Sequence, residues 1–208
     1  MRFTLNDRRN GAPRLARRAL SFCALALMAG MGAACSDNNP FLSPPTSENT
    51  VRTFSVWALS GTNAALPASV LFSNLSVERP QLLSNGTVNF EVAFDITADG
   101  KVRFLPARAL VPQAPAGAPS IGLARSTSAF DAITRAPDRG YTDDSTLVVA
   151  VNEVVLIRLT SSRCILQDPF YGKVAVDSVI LAERRLVLRT LVNRNCGYRA
   201  LTPGLPST

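Results

Sequence analysis

Thr87-Val88-Asn89-Phe90-Glu91-Val92-Ala93-Phe94-Asp95-Ile96 sets Val88, Phe90, Val92, Phe94 and Ile96 in alternation with Thr87, Asn89, Glu91, Ala93 and Asp95. A period of two belongs to a strand with one face on a core and the other toward solvent. Thr97-Ala98-Asp99-Gly100 then turns the chain, and Val102 and Phe104 carry the pattern back. The pattern also selects the loop. A tight turn on Asp99-Gly100 alone would set Ile96 opposite Arg103, a core residue against a charge. A loop of Ala98-Asp99-Gly100 instead pairs Ile96 with Val102, Phe94 with Phe104 and Asp95 with Arg103. Gly100 then supplies the positive φ of the accompanying bulge.

Working outward, residues 51–59 alternate and are rich in β-formers, and residues 69–72 and 75–77 read as shorter strands. Residues 147–151 and 154–159 are apolar on both faces, which predicts central strands covered on both sides, with a turn at Asn152-Glu153. Residues 173–181 and 186–193 form a hairpin around Ala182-Glu183-Arg184-Arg185. A Pro/Ala-rich connection, residues 106–119, interrupts the series, and residues 126–135 permit one short helix with Phe130 and Ile133 on one side. About eight strands and regular turn signals predict an all-β fold, a β-sandwich. An immunoglobulin-like arrangement is one form of it, and a closed barrel is the alternative. One domain is expected over residues 51–201, with a tail at 202–208.

The N-terminus is organised differently. Arg2, Arg8, Arg9, Arg14, Arg17 and Arg18 face a single acid, Asp7, and a mainly apolar run from Ala19 to Ala34 follows. Basic start, short apolar middle and small residues at the end are the three parts of a secretory signal. The run is shorter than the ~20 residues that cross a hydrocarbon core, and polar Ser36-Asp37-Asn38-Asn39 ends it at once. Residues 1–34 are therefore read as a cleaved signal. The Ser/Asn/Pro-rich residues 35–50 are read as a flexible tether.

Gly32-Ala33-Ala34-Cys35 resembles the lipobox of bacterial lipoproteins, with Gly32 where that family usually has Leu. The resemblance implies a diacylglycerol on the Cys35 thiol, cleavage just before it and acylation of the new N-terminus. Several acyl chains on one residue anchor stably, since each buried CH₂ contributes ~0.8 kcal/mol. Ser36 after the cysteine implies, by the same resemblance, the outer membrane. Arg17-Arg18 is read as part of an ordinary basic start, because Ala16 replaces the Ser or Thr of a twin-arginine signal.

Removing the signal changes the charge. The whole chain has 22 basic and 15 acidic residues; without residues 1–34 the balance is 16 against 14, a net +2. A near-neutral domain gives no electrostatic case for nucleic acid. Cysteine usage narrows too. Cys23 leaves with the signal and Cys35 takes lipid, so Cys164 and Cys196 are left to form one disulfide in an oxidising compartment. The redox-active alternative needs C-x-x-C spacing, which this pair lacks.

The chain contains no histidine, which excludes Ser-His and Cys-His catalysis and the usual zinc ligand. Lysine occurs only at Lys101 and Lys173. Asp138, Asp143 and Asp144 cluster in one polar loop but lack the D-x-D-x-D-G spacing of a calcium site, so no metal or cofactor is expected. Asn195-Cys196-Gly197-Tyr198-Arg199 reads as a braced corner: a bridged cysteine, a glycine for the bend, and a tyrosine that packs while its hydroxyl bonds backbone. Phe170 and Tyr171, on a turn inside the disulfide loop, are the candidate contact residues. The expected role is a non-catalytic module of the cell envelope, held to the membrane by lipid and contacting an envelope protein or glycan. The alternative is a carboxylate-based hydrolase such as a glycosidase. For that, Glu91 and Asp95 are the acids on one strand face, one that looks solvent-exposed.

Overall fold

Two antiparallel sheets face each other across a core built from the alternating residues. In the computed structural model, residues 42–112, 119–160 and 163–206 are described. The signal and Cys35 lie outside them. Among the described residues the strands are β1 (Val51–Trp57), β2 (Ser69–Leu71), β3 (Ser76–Glu78), β4 (Val92–Ile96) and β5 (Val102–Pro106). They continue as β6 (Ile121–Ser126), β7 (Thr142–Asp143), β8 (Leu147–Val149), β9 (Val154–Leu159), β10 (Phe170–Ile180) and β11 (Arg185–Asn193). A six-stranded sheet runs β1-β11-β10-β9-β6-β7, and a five-stranded sheet runs β3-β2-β4-β5-β8. This is the expected all-β sandwich, with 11 strands rather than about eight.

The β4–β5 register is the one the alternation selects: Ile96 opposite Val102, Phe94 opposite Phe104, Asp95 opposite Arg103. Gly100 has φ +76°, and its N–H donates to the Thr97 carbonyl at 3.0 Å. Phe94 and Phe104, both fully buried, meet edge-on with centroids 4.9 Å apart. Each such ring removes 150–250 Å² from water, so this pair anchors the five-stranded side of the core.

The alternation fails at one point. Phe90 packs with Ala93, Leu105 and Ala107 in a small cluster on the outer face, not with Val92 and Phe94. The chain breaks step at Glu91, whose N–H goes to the Val70 carbonyl and whose own carbonyl accepts from Ala107. The Glu91 side chain is thereby buried, where the alternation predicts solvent.

The 106–119 connection begins as structure. Pro106 ends β5, and Ala107–Leu110 forms α1, a four-residue helix under which Ala107 is buried. Elements from both sides of the connection share one sheet, because β8 pairs with β5. That makes β8 an edge strand, against the expectation of a central one. β9 is central as expected, lying between β6 and β10 with both faces covered. Its inner face (Val155, Ile157, Leu159) joins the main core. Its outer face (Val154, Leu156) joins a second cluster with Phe130, Ile133, Tyr171, Leu191 and Leu201.

The short helix expected at 126–135 is a single 3-10 turn, Phe130–Ala132, because Ser126 belongs to β6 and Ala129 at the cap offers no side-chain acceptor. β6 is absent from the sequence reading. Gly122 and Ala124 interrupt its apolar pattern, and Gly122 is required by space. A Cβ there would lie 2.5 Å from a carboxylate oxygen of Asp143 and 2.8 Å from Tyr141 Cβ.

Candidate functional site

At one end of the sandwich β9 finishes, β10 begins, β11 ends and the described chain enters. Cys164 and Cys196 are bonded there, with Cα atoms 5.7 Å apart, so the bridge joins the exits of β9 and β11. Gly197, at φ +77°, bends the chain after the bridge, and the Tyr198 hydroxyl donates to the Ser43 carbonyl at 3.0 Å. The corner is braced as its sequence suggests.

What it braces differs from expectation. Residues 35–50 read as a flexible tether, but those from Ser43 onward are fixed to the domain. The Asn195 side-chain oxygen Oδ1 accepts from the N–H groups of Thr46 and Ser47 at 2.8 and 3.0 Å, and its side-chain Nδ2 donates back to the Ser47 carbonyl. Asn49 forms a bridge with Gly204 and donates to the carbonyls of Ala200 and Thr202. Composition alone suggests disorder here, because the segment has few apolar residues to drive docking. Backbone groups satisfied by two buried asparagines drive it instead.

The entering segment and the disulfide loop enclose a cleft of about 230 Å³. Leu42, Pro44, Ile165 and Leu166 supply its apolar lining; Arg163, Arg194 and Asp168 supply its charge. Ile165 and Leu166 occupy the tip of a turn closed by the Gln167 N–H on the Cys164 carbonyl. They are 99% and 69% exposed. Two adjacent branched apolar side chains held out by a crosslinked turn are the most conspicuous apolar feature of this end.

Phe170 and Tyr171, the residues expected to form a contact surface, are buried at 2% and 7% exposure. β10 starts at Phe170, so strand alternation sends Phe170 into the main core and Tyr171 into the outer cluster. The exposed residues of the same loop lie five positions earlier. The signal that could have found them is the Cys164-Ile165-Leu166-Gln167 turn itself, in which the bridged Cys164 takes the core position and leaves the next two residues outside it.

The two candidate acids separate. Glu91 turns to the Phe72-Ser73 bend and accepts the Ser73 N–H at 3.1 Å. Asp95, near the other end of β4, accepts from the Ser60 hydroxyl at 2.8 Å and from Arg184 at 3.2 Å. Arg103, opposite Asp95 in register, is not its ion-pair partner. Asp143 pairs with Arg158 at 2.9 Å, Asp144 caps Ser120 and Ile121, and Asp138 reaches Arg199 at 4.0 Å, so each acid of that loop faces a different partner. Neither a family model, a curated protein nor a solved structure matches this chain.

Glu91 carries a pH dependence. Burial raises its pKa above the ordinary 4.5, against the N–H groups of Ser73 and Phe72 and the charge of Arg163. At neutral pH the fold thus holds a carboxylate whose charge is less well stabilised than in the unfolded chain, a net loss of stability. As pH falls through the raised folded pKa toward the ordinary value, the folded chain takes up its proton before the unfolded chain does, and the loss is relieved. Glu91→Gln keeps an acceptor for Ser73 without the charge. Its melting temperature should exceed the parent's at neutral pH, and the gap should close below the ordinary carboxylate range. A variant less stable at neutral pH would mean that attraction to Arg163 outweighs burial.

Proposed function

We propose that this chain is a lipid-anchored protein of the cell envelope, held by Cys35 at the outer membrane, whose sandwich is a binding or structural module and not a catalyst. The observation that carries the reading is the meeting of three things at one end: the incoming chain, the disulfide and the exposed Ile165-Leu166 turn. Seven residues before Leu42 stands the cysteine of a lipobox-like motif, behind a basic start and an apolar run. The bridge suits an oxidising compartment outside the cytosol. The cleft offers apolar contact and two guanidinium groups beside one acid, chemistry that holds a partner by area and charge.

Expressed from its own signal in a Gram-negative host, the protein should fractionate with membranes and incorporate labelled palmitate. Cys35→Ser should abolish both. Labelling that persists in the variant would remove the anchor reading, and turnover of a glycan or ester by purified protein, lost on changing one acid, would remove the non-catalytic one.

A further inference from the structure

The cleft end differs in kind from the opposite end. There, the β10–β11 turn is tied across to the other sheet: Arg184 donates to the Ser60 carbonyl at 2.8 Å, to the Ile96 carbonyl at 3.1 Å and to Asp95. The cleft end instead presents Ile165 and Leu166 outward, with Arg163 and Arg194 among the cleft residues beside them.

We infer that the cleft end of the sandwich rests on the lipid bilayer, with Ile165 and Leu166 entering the interface and Arg163 and Arg194 meeting lipid phosphates. This deepens the anchor reading and depends on it. Chain length decides the orientation. The tether is shortened by the docking of residues 43–49, so only the stretch from Cys35 to Leu42 can separate lipid from domain. Those seven steps span roughly 25 Å at full extension. Leu42 lines the cleft, and its Cδ2 lies 2.6 Å from where a Cβ on Gly197 would stand, so the attachment leaves from this end.

The 11 residues of β10 carry the sheet away from that end by roughly 35 Å. A tether shorter than the strand is long cannot let the domain stand on its far turn with the cleft end away from the membrane. It does bring the cleft end there. An apolar tip flanked by basic groups is the composition that lies stably at a headgroup boundary, the apolar atoms below it and the charges on the phosphates. A guanidinium fits a phosphate by two parallel hydrogen bonds. Asp168 is the one opposing charge among the residues of the same cleft.

The test places a tryptophan at each end of the lipidated full-length protein, in a Trp57→Phe background that removes the chain's only native tryptophan. Ile165→Trp probes the cleft end and Leu181→Trp, 61% exposed in the parent, probes the far turn. Both are reconstituted into phosphatidylethanolamine/phosphatidylglycerol vesicles with and without bromines on the acyl chains, and each variant's melting temperature is checked against the parent. Bromine should quench position 165 several-fold and leave position 181 unchanged. Quenching at both would lay the sandwich flat on the bilayer and overturn the end-on arrangement. Emission at 165 that shifts blue without quenching would put the residue against protein and overturn the lipid assignment. Palmitate on the protein without quenching at 165 would overturn this inference and leave the anchor standing, whereas absence of palmitate would overturn both.

Discussion

Replacing Cys164 and Cys196 together by serine should lower the stability of the domain by about 3.5–4 kcal/mol, from the chain entropy released when a loop of this length is opened in the unfolded state. The bridge spans a sequence separation of 32 residues, and it closes around the β10–β11 hairpin. For a domain of this size, that loss corresponds to a fall of roughly 7–15 °C in melting temperature. The loss should come with a local signature. Cys164 is buried in the main core and Cys196 packs against it, so the double variant should open first at the cleft end. Limited proteolysis should then cut near residues 163–168 while β4 and β5 stay protected. An unchanged midpoint would mean that the unfolded chain is already confined by other contacts. A large fall without new cleavage in the loop would place the bridge's effect in the fold as a whole.

The second large effect is expected at Lys173. Its ammonium, at 3% residue exposure, donates to the carbonyls of Phe130 and Ile133 at 2.7 and 2.8 Å and stands 4.4 Å from the Phe130 ring centre. These are the carbonyls at the start and end of the 3-10 turn that lies over the outer face of β10. The carbonyls at a helix end are left over from its own hydrogen bonding, and Lys173 donates to them here. Lys173→Met keeps the stem and its packing but leaves the Ile133 carbonyl without a donor and the Phe130 carbonyl with only the Ile133 N–H at 3.4 Å, which should cost about 1–3 kcal/mol. Hydrogen exchange should quicken across residues 127–137 before it changes elsewhere. The other lysine is the control. Lys101, on the surface beside Asp99, should tolerate the same substitution with almost no change in midpoint. Equal effects at the two positions would mean that the lysines contribute through net charge and not through the latch.

The sequence made some elements legible for reasons that also mark its limits. Residues 92–106 were readable down to the register, because a period of two with one charged row admits only one loop length. β9 showed its two-sided burial in an unbroken apolar run. β8 has the same composition and lies at an edge. An apolar run records burial, not position in a sheet. Phe90 and Glu91 were misplaced because a one-residue break leaves no trace in composition, only in where backbone groups find partners.

The site was harder to read. A single disulfide followed from counting cysteines, and the braced corner from Cys196, Gly197 and Tyr198 together. Phe170 and Tyr171 are aromatics next to a turn, yet β10 begins there and buries both. Ile165 and Leu166, on which the sequence pattern gives no reading, are the exposed ones. The docking of residues 43–49 depends on Asn49 and Asn195 satisfying backbone groups up to about 150 positions away, as between Thr46 and Asn195. No local pattern announces such a pairing.

That docking also decides how the domain bears a load. The entering segment and the last residues lie side by side, Asn49 against Gly204, next to the end of β11. A pull between the two ends of the chain would peel these contacts apart one after another. A pull between an anchored entrance and something gripping the far turn acts differently. It runs along β1 against β11, whose seven antiparallel pairs, Val51 with Leu191 through Trp57 with Arg185, are then strained in parallel. The same ladder is thus soft to tearing from the cleft end and stiff to traction between that end and the far turn.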